Sequence, residues 1–201
     1  MRANLKWIVT VTIGSLFFAS CQSKKADSLV EAPVKDSVEQ KPKPISEPLV
    51  THIYTADPSA HVFDGKIYIY PSHDIESGVK EDDSGAHFDM QDYHILSMDS
   101  ITREAKDNGV ALDKKDVPWV GRQLWAPDAA FANGKYYLYF PAKDKSDVFR
   151  IGVATSSSPI GPFKAEAKPI EGSYSIDPAV FTDTDGSSYM YFGGTTIYAA
   201  N

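Results

Sequence analysis

A single cysteine, Cys21, occurs among the 201 residues, so no disulfide can close within the chain and the fold cannot rest on a cystine framework. Basic residues are also scarce: 20 Lys and Arg stand against 27 Asp and Glu, for a net charge of −7. Setting aside the N-terminal cations Arg2 and Lys6 leaves residues 22–201 at about −9. Binding to a phosphate backbone needs clustered Lys and Arg, so nucleic acid is excluded as a partner. The one long apolar run, Trp7 to Ala19, falls short of the roughly 20 residues that a membrane-spanning helix requires. Sustained 3.6-residue periodicity is missing, which predicts few helices. What the chain does have is 42% hydrophobic and 12% aromatic residues, enough to build a core.

The N-terminus is a targeting pattern. Arg2 and Lys6 precede the apolar run, and the small residues Ala19 and Ser20 lead into Cys21. Residues 1–21 resemble a bacterial lipoprotein signal peptide, with Phe18 where Leu is usual. The resemblance implies lipidation of Cys21, export, and anchoring in a bacterial envelope, in the periplasm or at the cell surface, with the membrane as a partner through the lipid. Residues 22–50 contain Pro33, Pro42, Pro44 and Pro48 and no aromatic residue or glycine. Such a segment buries too little apolar surface to offset its ordering entropy, and it reads as a flexible tether.

From Thr51 onward the texture is β. The runs Ile67–Tyr70, Tyr136–Phe140 and Tyr189–Phe192 follow Asp64-Gly65, Asn133-Gly134 and Asp185-Gly186, and Asx-Gly between such runs predicts hairpins. Further strands are expected at Tyr93–Ser97 and Phe149–Thr155. The hairpins are repeats: Pro58–Lys66 aligns with Pro127–Lys135 at an offset of 69, and Asp57-Pro58 with Asp177-Pro178 at an offset of 120, with one extra residue before the third turn. A unit recurring every 50–70 residues suits the blades of a β-propeller better than a sandwich, which does not require the repeat. Residues 51–201 then hold two blades and the opening of a third. A propeller needs about four to eight blades to close, so the sequence is expected to be a fragment.

In a propeller, equivalent first strands line one central cleft, so carboxylates far apart in sequence converge there. The candidates are Asp57, Asp128 and Asp177. Asp57 and Asp177 each precede proline at the same repeat position, while the second repeat has Ala126 there and its Asp128 is offset. Two such carboxyl groups suit inverting glycoside cleavage, in which one activates water and the other protonates the leaving oxygen. Trp125 and Trp119 are each either a sugar-stacking platform or a buried core residue. His61 is placed to hydrogen-bond within the cleft or to serve the fold. The acidic stretch Pro71–Gln91 reads as a loop over the cleft rim. A metal site is conceivable there, but no ligand spacing stands out and no metal is assigned; Asp183–Gly186 lacks the downstream glutamate of a calcium loop and reads as a turn.

Asp57-Pro58 with Asp64–Tyr68, Trp125-Ala126-Pro127-Asp128, Ser156–Phe163 and Ser175-Ile176-Asp177-Pro178 occur in an order and spacing that resemble glycoside hydrolase family 43. These are five-bladed β-propeller enzymes acting on arabinose- and xylose-containing polysaccharides. The resemblance implies an all-β, five-bladed β-propeller truncated to about two and a half blades, and an arabinofuranosidase or xylosidase activity of xylan or arabinan degradation. It assigns Asp57 as general base, Asp177 as the carboxylate that tunes the acid's pKa and orients the sugar, and Trp125, Asp128 and His61 to substrate binding. The family's general acid is a glutamate on a later blade. Glu166 and Glu171 both precede Asp177, so the acid is absent from this sequence and residues 1–201 alone are expected to be inactive. No cofactor is assigned; a structural calcium in the propeller channel is possible in the family, with no ligands identifiable here. The competing readings are a non-catalytic glycan-binding propeller, disfavoured by the presence of both Asp57 and Asp177, and a related fructan-acting clan, disfavoured by Trp-Ala-Pro-Asp.

Overall fold

The structure, a computed structural model, describes residues 46–101 and 104–193 and the strand Tyr198–Ala200. The lipoprotein signal, Cys21 and the tether up to residue 45 lie outside the described residues. Three antiparallel sheets follow one another along the chain. The first is a meander of β1 (Tyr54–Phe63), β2 (Lys66–Asp74), β3 (Asp92–Met98) and β4 (Lys106–Asp113). A 3-10 turn at Lys114–Asp116 leads to the second, made of β5 (Val120–Arg122), β6 (Asp128–Ala132), β7 (Lys135–Asp144), β8 (Phe149–Ser156) and β9 (Lys164–Ala165). Here β5 and β6 both pair with β7, which is followed by β8 and β9. The third holds β10 (Ala179–Thr182), β11 (Ser188–Phe192) and β12 (Tyr198–Ala200). Successive strands that pair with their neighbours, sheet after sheet, are the blades of a propeller.

Turn chemistry accounts for the hairpins. Asp64 and Gly65 have φ of 50° and 76°, and Asn133 and Gly134 have 51° and 74°. Two consecutive positive φ angles define the type I′ turn that matches strand twist, and Asx-Gly adopts it at least cost. The third hairpin departs from this pattern. Thr182 pairs with Ser188, and the Gly186 N–H bonds to the Asp183 carbonyl at 3.0 Å. The extra residue of the third repeat thus changes the turn, and Gly186 alone in it takes a positive φ, 88°. Strand β2 also runs on to Asp74, whereas the sequence pattern ends it at Tyr70. Pro71 is tolerated because it faces the register shift between Ala56 and Ser59, where the ladder asks nothing of its nitrogen.

Side-chain alternation along the strands places the core. Tyr136, Leu138 and Phe140 of β7 pack with Tyr70, Tyr93 and Leu112 of the first sheet. Tyr139, between them, packs with Ile151, Val180, Met190 and Phe192 towards the third. Tyr70 and Tyr139 occupy equivalent repeat positions, and each packs against the following sheet; Tyr191, the third equivalent, is 44% exposed. Trp119 belongs to the core: it stacks on Phe140 with centroids 5.9 Å apart. Gly152 lies beneath both rings, where a Cβ would come within 2.5 Å of Phe140 and 2.6 Å of Trp119. Trp119 therefore serves packing and is not a sugar platform.

Candidate active site

The chain is interrupted at the same repeat position in the first and third sheets. Asp57 breaks the β1 register and has φ of 47°; Asp177, just before β10, has 55°. A positive φ is costly for a residue with a Cβ, by about 1–3 kcal/mol, and proline next in the chain restricts it further. That both aspartates hold this conformation means that the fold fixes their carboxylates in matching positions. A channel of about 410 Å³ is lined by Asp57-Pro58-Ser59, Ala126-Pro127-Asp128 and Asp177-Pro178-Ala179. These are the three segments aligned by the repeat offsets, and the structure brings them together.

Asp57 and Asp177 also line an adjoining cleft of about 440 Å³, with Asp74, Phe88, Met90 and Trp125. Burial, reinforced by the charge of Asp57, raises the pKa of Asp177. Burial raises that of Asp74 too, again with a contribution from Asp57, opposed by His73. Asp74 Oδ1 is buried without a hydrogen-bond partner. The cleft thus holds three carboxyl groups in a partly desolvated space, with the charge of Asp57 acting on both Asp74 and Asp177. Asp74 was not singled out from the sequence. Its signal was present in the repeat: β2 runs antiparallel to β1, and its end returns beside the Asp57 bulge.

Asp128 has a different environment. Its Oδ1 lies 2.7 Å from His61 Nε2, and its Oδ2 accepts the Val180 N–H at 2.6 Å. Burial acts to raise its pKa, but the bonds from His61 and from the Val180 and Ala129 N–H groups outweigh it and hold the carboxyl below its ordinary range. The group ties β1, β6 and β10 together at the channel wall, one oxygen engaging His61 and the other the Val180 N–H. Asp128→Ala is expected to cost about 3 kcal/mol, the low end for breaking a buried pair, because His61 is 27% exposed. With a lowered folded-state pKa, this stabilisation is present above the unfolded value of about 3.9 and is lost as pH falls through the folded one. Urea unfolding of wild type and variant at pH 7 and pH 3 measures both effects.

Trp125 forms the cleft wall, half-buried. Its Nε1–H donates to the Phe88 carbonyl at 2.7 Å, and its ring meets Phe88 edge-on. Gln123, fully buried with φ of 62°, donates to the Gly85 carbonyl at 2.8 Å, and its N–H reaches Asp89 Oδ1 at 3.1 Å. The segment after β2 is therefore fastened to the β5–β6 connection: residues 85–90 form part of the wall, while Glu81, Asp82 and Asp83 stay exposed. Ser156–Phe163 serves packing, with Phe163 in the core and its N–H on the Ala111 carbonyl at 2.8 Å. Calcium takes six to eight oxygen ligands. The described channel segments offer the carboxylates of Asp57, Asp128 and Asp177, too few ligand groups to complete such a cage on their own.

Residues 45–201 match the family described as Glycosyl hydrolases family 43. A xylosidase/arabinosidase 43A from Humicola insolens is 64% identical over 149 residues, 73% of this chain and 46% of the relative. A xylosidase/arabinosidase from Bacteroides ovatus is 61% identical over 147 residues, 73% of this chain and 45% of the relative. Among solved structures, a β-xylosidase/α-arabinofuranosidase from a compost microbial metagenome, in complex with xylotriose and calcium-free, matches at 76% identity with a TM-score of 0.72. That match covers 74% of this chain and 45% of the other. The chain spans a little under half the length of these relatives.

Proposed function

The chain belongs to family 43 of the glycosyl hydrolases, its sheets being blades of that family's five-bladed propeller, and from that premise we propose that the full-length protein hydrolyses O-glycosyl bonds in xylose- or arabinose-containing plant polysaccharides and oligosaccharides with inversion. The observation that carries this reading is the convergence of Asp57 and Asp177 from different blades on one cleft walled by Trp125. Asp57 takes the proton of the attacking water. Asp177 holds its charge beside the reaction centre, where it raises the pKa of the acid and orients sugar hydroxyls. The acid itself is assigned to a residue outside 1–201. Trp125 offers an aromatic face to the C–H face of a sugar ring.

The test is release of 4-nitrophenol from the β-xyloside and the α-L-arabinofuranoside by the full-length protein. Hydrolysis of either supports the reading. Tight binding of xylo-oligosaccharides without product replaces it with a glycan-binding role. We also propose that Cys21 is lipidated and holds the protein in a bacterial envelope, on the strength of the basic, apolar and small-residue order of residues 1–21. Fatty-acid labelling that survives Cys21→Ala contradicts this.

A further inference from the structure

We propose that His73, Asp92 and His94 form a binding site for a first-row divalent metal of the zinc type, built into the first blade and separate from the hydrolytic carboxylates. One donor atom from each lies within 4.8 Å of the others. His73 Nδ1 is 2.6 Å from Asp92 Oδ1, and His94 Nε2 is 3.9 Å from the same oxygen. Zinc bound at about 2.0–2.2 Å to tetrahedral nitrogen and oxygen ligands holds them about 3.3 Å apart. Those two separations bracket that value and the third lies within 4.8 Å, so side-chain shifts of about 1 Å that draw the two imidazoles together complete the geometry. With the metal in place of the hydrogen between His73 and Asp92, the His73 ring carries its proton on Nε2.

The surroundings orient these ligands. His94 Nδ1 lies 3.0 Å from each oxygen of Asp107, which also accepts the Gly109 N–H at 2.8 Å and contacts His52 Nε2 at 2.8 Å. A carboxylate on Nδ1 fixes the tautomer and leaves the Nε2 lone pair facing Asp92, the outer-shell arrangement that metal-binding histidines require. The His73, His94 and Asp92 side chains are 16%, 15% and 21% exposed, so solvent can supply a fourth ligand. Two imidazoles with one carboxylate suit zinc, copper, iron or nickel, not calcium or magnesium.

The backbone explains why these residues meet. The pairs Ile67↔Met98, Tyr68↔Ser97 and Ile69↔Leu96 set the β2–β3 register, and continuing it places His73 opposite Asp92. A metal here clips the two strands just beyond their ladder, at the base of the segment that walls the cleft.

The test uses the full-length protein stripped by chelator and titrated with Zn²⁺ alone. The wild type is expected to bind one more equivalent than His73→Ala/His94→Ala, unaffected by excess Ca²⁺. Asp107→Asn is expected to weaken that equivalent by about 10–100-fold, and Asp57→Asn to leave it unchanged. Zinc-edge anomalous scattering from wild-type crystals is independent of whether the variants fold, and it should place a peak among the three side chains. No peak there at saturating zinc, or equal stoichiometry and affinity in the double variant, overturns the proposal.

Discussion

Asp57→Asn in the full-length protein is expected to lower kcat by about 10²–10⁴-fold, the range general-base catalysis supplies, with KM close to that of the wild type. Asparagine keeps the shape of the side chain and most of its hydrogen bonding, but it cannot accept the water's proton. The backbone at this position is already held at φ of 47° by the β1 bulge and Pro58, and the substitution makes no new demand on it. Wild-type Tm with reduced turnover is therefore the expected signature. A fall in kcat accompanied by loss of the fold would place the residue among the structural aspartates, beside Asp128.

Asp177→Asn is expected to slow turnover and also to stabilise the protein, a combination that a purely structural aspartate does not give. Burial, and then the charge of Asp57, raise the Asp177 pKa in the folded protein. As pH rises, the unfolded chain loses this proton first, so ionisation of Asp177 weakens the fold through the interval between the unfolded value of about 3.9 and the raised folded one. The asparagine variant escapes that loss. Its Tm should match the wild type in acid and exceed it at neutral pH, as thermal melts across pH 3–8 would show. Removing the negative charge should also lower the pKa of the partner acid, moving the alkaline limb of the pH–rate profile down by about one unit.

How much of this was legible in the sequence depended on whether the information was local. Asp64-Gly65 and Asn133-Gly134 specify their turns through two residues each, and hairpins and blade register followed from them. Asp57 and Asp177 were visible because the same dipeptide recurs at the same repeat position. Asp74 was hidden because Pro71 suggests a strand end, and only the bulge opposite makes that proline compatible with β2. Gln123 has no local signature: its role exists only once Gly85, Phe88 and Asp89 are folded against it. The His73–Asp92–His94 group was missed for a similar reason. Ligand spacing was sought along one loop, whereas the cluster forms across two antiparallel strands, where sequence separation carries no pattern. Asp128 was visible as a channel candidate from Trp125-Ala126-Pro127-Asp128, but nothing local showed that it also bonds His61 and the Val180 N–H.

The most direct measurement of the central claim is the configuration of the first-formed sugar, followed by proton NMR during hydrolysis of a xylosyl or arabinofuranosyl substrate by the full-length protein. If Asp57 activates water on the face opposite the leaving group, the initial product carries the inverted anomeric centre, and the other anomer grows in only by mutarotation. An initial product of retained configuration means a covalent glycosyl intermediate and a nucleophilic carboxylate, and it would contradict the role given to Asp57.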